Sequence, residues 1–319
     1  MKKIISLLVL LTLVATMFVA CANKTSDETE TTEASVEKDY TLAIGVVATP
    51  NLNSSKVSDT VAAIVTDADG KIVLCRFDCI EYTAKYADGM LDITAPKSKA
   101  AQGDAYDAFS PMPAGAWYKQ VDALATYITG KTQDEVAATA LTGGYASDAE
   151  LKASCSINIA DLLKAVDNAF KSEHKTTFKT DSEALTAGIS ALGAVKDTAT
   201  ETEKNASFTA DFAASVLADG KVVASILDSA EVELVGINDE GAATEAKFKG
   251  TKREQGAAYD SFSPMPAGTW YVQADAFAKT AIGKTADDIA TLAFEGVAGC
   301  TIYAGGYKMA VEASVNAAK

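Results

Sequence analysis

The chain has 319 residues, a formal charge of −15, one histidine and five cysteines. Acidity of this order excludes nucleic acid as a partner, because phosphate contacts need clustered Lys and Arg, and it argues against general attraction to anionic lipid. The single imidazole, His174, excludes a His-based triad in each half of the chain and a two-His metal site.

The N-terminus carries Lys2 and Lys3, then an apolar run from Ile4 to Phe18, then Val19-Ala20-Cys21. A basic start, a short apolar stretch and small residues before a cut form a secretory signal peptide, here residues 1–20. The run is shorter than the ~20 residues a spanning helix needs. Phe18-Val19-Ala20-Cys21 resembles the lipobox of bacterial lipoproteins, with Phe18 where Leu is usual. The resemblance implies a diacylglycerol on the Cys21 thiol and a lipid anchor on the extracytoplasmic face of the cell membrane, where two acyl signals make a stable attachment. Loss of Lys2 and Lys3 with the leader would leave the mature chain two charges more acidic. Residues 21–40 are rich in Thr, Glu and Ser and almost free of large apolar side chains. Such a segment cannot bury enough surface to order itself, and it reads as a disordered acidic tether.

Two copies of one domain follow. Gln102 to Tyr118 recurs as Gln255 to Tyr271, including Ser110-Pro111-Met112-Pro113-Ala114-Gly115 and Ser263-Pro264-Met265-Pro266-Ala267-Gly268. Gly130-Lys131-Thr132 recurs as Gly283-Lys284-Thr285, and Asp69-Gly70-Lys71 as Asp219-Gly220-Lys221. The copies span 41–170 and 186–319, joined by a polar stretch that holds His174. In copy one, β-rich runs at Val61–Thr66 and Ile72–Ile80 flank a hairpin signal at Asp69-Gly70. In copy two the runs are Phe212–Leu217 and Val222–Ile226. The two prolines of each Ser-Pro-Met-Pro-Ala-Gly stretch exclude regular structure. A helix is predicted from Ala116 to Ile128, on the spacing of Val121, Leu124, Tyr127 and Ile128, with Gly130 as its stop. A shorter helix over 133–140 starts at Thr132 with Glu135 as a capping box, and a last helix covers 160–170. Strands first and helices after make an α+β class: two tandem copies of a small domain with an antiparallel sheet followed by helices.

The Gly-Lys-Thr tripeptides follow helices and lack the earlier glycine of a phosphate loop, since residue 125 is Ala. They read as a helix stop and an N-cap. Cys75 and Cys79 lie on one strand-like run with Cα atoms about 13 Å apart, too far for a disulfide. With Cys155 and Cys300 they read as small buried residues. Trp117 and Trp270, the only tryptophans, match across copies beside a rigid loop. They suit either stacking on a planar ligand or stapling the helix start to the sheet. Asp107 and Asp260 match but stand alone. No carboxylate pair for acid–base work and no Gly-x-Ser-x-Gly elbow is present, so the chain does not read as an enzyme.

Before each final helix stand Glu150-Leu151-Lys152-Ala153-Ser154-Cys155-Ser156 and Glu295-Gly296-Val297-Ala298-Gly299-Cys300-Thr301. These resemble the flavinylation motif of the FMN-binding domain family, in which a closing Thr carries FMN through a phosphoester. On that resemblance Thr301 takes the threonine position, Gly299 the glycine and Glu295 the aspartate, while Ala298 and Cys300 depart from the pattern. Ser156 takes the threonine position in copy one. The resemblance implies FMN as cofactor, redox proteins as partners and electron transfer at a cell surface. A hydroxyl at a helix start would also favour a phosphate. The alternative is a cofactor-free surface module that binds a small molecule or a protein, since fold does not fix function.

Overall fold

Why the chain forms two long-stranded sheets follows from its period-two apolar pattern, which the computed structural model resolves strand by strand. The structure describes residues 36–109, 112–261, 265–293, 296–302 and 305–319, except the Phe109 side chain. The leader, Cys21, the tether up to residue 35 and Glu295 lie outside the described residues. Among the described residues no helix is long and apolar enough to cross a membrane.

The protein is α+β. Copy one contains β1 (Lys38–Asn51), β2 (Lys56–Thr66), β3 (Ile72–Thr83) and two short hairpins, β4 (Tyr86–Ala87) with β5 (Met90–Leu91) and β6 (Leu141–Thr142) with β7 (Tyr145–Ala146). Its helices are α1 (Lys99–Gln102), α2 (Asp104–Phe109), α3 (Trp117–Ile128), α4 (Gln133–Ala137), α5 (Ala149–Ser154) and α6 (Ala160–Lys171). β8 (Thr176–Thr180) then leads to copy two, with β9 (Leu185–Asp197), β10 (Ala206–Ala218), β11 (Lys221–Val235) and β12 (Glu245–Lys247). Its helices are α7 (Lys252–Gln255), α8 (Ala257–Asp260), α9 (Trp270–Lys279), α10 (Ala286–Thr291) and α11 (Gly305–Asn316). One antiparallel sheet has the order β3-β2-β1-β8, the other β12-β11-β10-β9.

Two boundaries drawn from the sequence move. Lys38, Asp39 and Tyr40, assigned to the tether, pair in β1 with Thr180, Lys179 and Phe178. The polar joint between copies supplies that partner strand. The cause is apolar and local: Tyr40 stacks on Phe178 at 5.5 Å between ring centroids, a contact that outweighs the polar residues around it. The capping box of Thr132 and Glu135 forms as expected, on a helix that ends at Ala137.

Both faces of each sheet are covered. On β2, Val57, Val61, Ala63 and Val65 face inward and meet Phe208, Phe212, Ala214 and Val216 of β10 in one core between the sheets. Tyr82 stacks on Phe208 across it at 5.3 Å. The alternate residues, Ala62 and Ile64, pack under Leu124 and Ile128 of α3 and Leu162 and Val166 of α6. Ala213 and Leu217 pack under Phe277 of α9 and Val311 of α11. The layers therefore run helix, sheet, sheet, helix, and residues 36–319 are one compact unit. Gly45 and Gly188 allow the last helix of each copy to lie directly on the first strand. A Cβ at Gly45 would strike the backbone of Ala165 and Ala169, and one at Gly188 that of Ser314 and Ala318. The segments after these helices also reach across: the His174 ring stacks on Tyr271 at 3.8 Å, and Lys319 pairs with Asp122.

Asp59 breaks the inward pattern. It lies on the inner face of β2, fully buried, and neither carboxylate oxygen has a hydrogen-bond partner among the described residues. Burial pushes its carboxyl up to about 7. Strand register supplies its counterpart. Thr66 opposes Ile72 where Leu217 opposes Val222, so the first turn is one residue longer and Asp59 corresponds to Ala210. Because the folded state holds the proton more tightly than the unfolded one, the stability contributed by protonated Asp59 is present at acid pH and is lost as pH rises through about 7. Asp59→Ala is therefore expected to raise stability at pH 8 by about 1–3 kcal/mol and to flatten the fall between pH 5 and pH 8. Denaturant unfolding at the two pH values checks this, and a variant less stable than the native chain at pH 8 contradicts it.

Candidate functional site

The duplicated loop and the helix it introduces set the geometry in both copies. Gln120 and Gln273, each fully buried, occupy the same place on α3 and α9. The Gln120 Oε1 accepts from the Ser156 backbone N–H at 2.7 Å and from its hydroxyl at 3.1 Å, while Nε2 donates to the Gly115 carbonyl at 2.5 Å. The Gln273 Oε1 accepts from the Thr301 N–H at 2.6 Å and its hydroxyl at 2.9 Å, while Nε2 donates to the Gly268 carbonyl at 2.7 Å. One amide thus ties the proline-rich loop to the motif before the last helix. Neither hydroxyl is a helix cap, contrary to the sequence expectation: α6 has Ile159 as its N-cap, and α11 begins at Gly305. Each hydroxyl instead donates to the glutamine oxygen that already accepts the backbone N–H of the same residue.

The other sequence candidates have plain positions. Trp117 is 5 % exposed and Trp270 1 % exposed, each packed at the start of its helix. Trp270 also meets Tyr307 edge-on at 5.7 Å. Asp107 accepts from the Met112 N–H at 3.2 Å, and Asp260 from the Trp270 N–H at 3.3 Å, so the matched aspartates order the loop. Gly299 adopts φ +77°, whereas its counterpart Ser154 ends α5. Cys75, Cys79 and Cys155 are buried and Cys300 partly so; all are free, and burial pushes every one of these thiols up, away from thiolate chemistry.

Sequence reading missed the buried pair Asp78 and Asp228. The Asp78 Oδ1 accepts from the Cys79 and Ala100 N–H groups at 2.7 and 3.1 Å. The Asp228 Oδ1 accepts from Ser229 and Arg253 at 2.8 and 3.2 Å. Burial pushes both carboxyls up to about 6. Each anchors the start of a short helix, α1 or α7, and so places Lys99 or Lys252. Their match across copies was the available signal. Lys99 pairs with Glu81 at 3.0 Å and lies over the Tyr106 and Trp117 rings. Lys252 keeps the matching ring contacts, 5.4 Å from the Tyr259 and Trp270 ring centres, but its Nζ donates to the Tyr307 hydroxyl at 3.1 Å.

Around Lys252 opens a cleft of about 1140 Å³, lined by Asp211, Tyr259, Trp270, Thr301 and Tyr307 together with Met265, Ile302 and Met309. It brings together Thr301 and Trp270 of the sequence candidates. Copy one does not repeat its polar set. Register places Thr60 where copy two has Asp211. Counting from the motif hydroxyls, Asp161 and Leu162 stand where copy two has Gly306 and Tyr307. Leu162 is buried in the core, and Asp161 accepts from the Thr49 hydroxyl at 3.2 Å. Comparison with family models, with curated proteins and with solved structures finds no match.

The amide clamp has a measurable consequence. Gln273→Ala leaves a backbone N–H and a hydroxyl of Thr301 without their acceptor, and is expected to lower stability by about 1–3 kcal/mol and to speed hydrogen exchange at Thr301. Unchanged unfolding and unchanged exchange at that amide would show that the clamp does not hold the motif.

Proposed function

We propose that the protein is a surface lipoprotein, anchored through Cys21 on the extracytoplasmic face of the membrane, whose second copy binds a flavin of the FMN type. The first copy serves as the structural half. One observation carries this reading: the copy-two cleft gathers the motif hydroxyl of Thr301, a cation on Lys252 and the faces of Tyr259 and Tyr307 in one concave site. The donor set fits such a ligand. Among the described residues Lys252 supplies the only full positive charge lining the cleft, and it suits a phosphate. Met265, Ile302, Met309 and Tyr259 give a planar ring apolar and aromatic contact. FMN, when bound, supplies one- and two-electron redox chemistry. On this reading the chain is an electron carrier that exchanges electrons with redox partner proteins, and its residues bind and orient.

A second reading has its own support. The Thr301 hydroxyl already donates to Gln273, and the Lys252 ammonium to Tyr307. Both contacts complete the site without a cofactor, as in a surface module that takes another small molecule or a protein.

The chain co-produced with a flavin transferase, and separately titrated with FMN while flavin fluorescence is followed, decides between them. Saturable quenching is expected. It should vanish in the triple variant Asp211→Thr, Gly306→Asp and Tyr307→Leu, which restores the copy-one side chains, and persist in Ser156→Ala. A covalent adduct lost in Thr301→Ala would extend the reading to flavinylation. Colourless protein that ignores FMN overturns it and leaves the cofactor-free module.

A further inference from the structure

Each copy carries a further concavity, and the two stand in matching places. In copy one it measures about 440 Å³, between β2, β3, α1 and α2, and is lined by Lys56, Glu81, Lys97, Lys99 and Tyr106. In copy two it measures about 300 Å³, between β11, β12, α7 and α8, and is lined by Glu231, Glu233, Lys247, Lys249, Lys252 and Tyr259. Part of each wall is common scaffold. Gln102 Nε2 donates to the Lys97 carbonyl at 2.9 Å, and Gln255 Nε2 to the Gly250 carbonyl at 2.9 Å. Lys99 and Lys252 each lie over the tyrosine of the following helix, and strand register puts Glu81 and Glu231 in the same place.

The other lysines do not match, and that is the informative part. Register places Ser207 where copy one has Lys56. Counting from the N-caps Ser98 and Thr251, Gly250 stands at the place of Lys97, and Pro96 at that of Lys249. Lys247 comes from β12, a strand without a counterpart in the sheet of copy one. Each copy therefore reaches a lining of three lysines from different positions. A packing role does not explain this, since Lys97, Lys247 and Lys249 are exposed. What the two linings share is positive charge gathered in a hollow, on a chain whose formal charge is −15.

The acidic neighbours offset that charge only in part. In copy one Lys56 and Lys99 share a single carboxylate, Glu81, at 3.0 Å each. In copy two Lys247 pairs with Glu233 at 3.1 Å, and Glu231 accepts from the Ser207 hydroxyl at 3.1 Å. Three lysines thus face one glutamate in copy one and two in copy two. A concave surface of one sign focuses its field and concentrates counter-ions. Ammonium groups on flexible stems meet phosphate oxygens as point charges. We propose that each copy binds a compact polyanion of the diphosphate type in this pocket, the first copy more tightly because fewer carboxylates oppose it. The assignment does not rest on the flavin reading, which concerns the cleft of copy two alone.

Calorimetric titration of the flavin-free full chain with pyrophosphate tests it, at low ionic strength because salt screens exposed charges. Two ions per chain with unequal affinities are expected. Each charge-assisted bond corresponds to roughly ten- to hundredfold in affinity. Lys56→Gln with Lys97→Gln should weaken the tighter site by at least that factor and leave the other, and Lys247→Gln with Lys249→Gln should do the reverse. Lys97→Gln alone, at an exposed position, serves if the loss of Lys56 disturbs folding. Lys164→Gln with Lys171→Gln removes the same charge from α6, outside both pockets, and should change neither site. Absence of binding overturns the proposal, as does binding that the α6 variant weakens as much as the pocket variants do, or that no pocket variant weakens. A tighter site in copy two overturns the ranking by opposing carboxylates.

Discussion

Everything in this molecule depends on the core between the two sheets. A sheet with helices on one face still presents an apolar face on the other, and in each copy that second face is rich in large side chains, Val57, Val61 and Val65 on one side and Phe208 and Phe212 on the other. Exposing it would cost roughly 25 cal/mol for each Å² of apolar surface. Neither copy can leave it in water, and each covers the other. Sharing this core converts a tandem repeat into one body. It fixes the two motif loops on opposite helical layers, and it explains why β8, from the joint, completes the sheet of copy one.

Duplication within one chain frees one copy to change. The shared parts are those that build the scaffold: Gln120 and Gln273, Asp78 and Asp228, Trp117 and Trp270. These hold a strand, a short helix, a loop and a motif together, and they remain in both halves. The differences concentrate at the mouth of the last helix. There copy one has Thr60, Asp161 and Leu162, with Asp161 accepting from Thr49 and Leu162 buried, while copy two has Asp211, Gly306 and Tyr307 around an open cleft. A carboxylate in the first turn of α6 already complements the helix dipole. The first turn of α11 has none of its own, and the Asp211 carboxylate of β10 lies against Gly306 there instead.

Much of this was legible in the letters. Asp69-Gly70 and Asp219-Gly220 marked the hairpins because a tight turn needs positive φ, and Gly70 and Gly220 have it. Val121, Leu124 and Ile128 marked the buried face of α3 by their spacing. β1 and β9 were not legible: Leu42, Ile44 and Val46 of β1 and Ile189 of β9 are buried, but the residues between and beside them are Ala, Gly and Ser, small side chains that make room for a helix and carry little strand signal. The strand nature of Thr176–Thr180 was likewise hidden, since its one large apolar residue, Phe178, gains its partner from a strand far back in the chain. The candidate site was legible in part. Thr301 and Trp270 were found through the motif and the repeat, but Asp211 was not, because a lone aspartate in an apolar strand carries no local pattern. Only the register, which shifts by one residue at the first turn, identifies it as a replacement for Thr60.

The claim that one half supports and the other half binds is tested most directly by counting ligands. Calorimetric titration of the intact chain with FMN reports how many flavins each molecule takes. The account requires one per chain, with the heat of binding unaffected by Ser156→Ala. Two per chain would show that copy one is a working site as well; none would remove flavin from the account and leave the shared core as its surviving part.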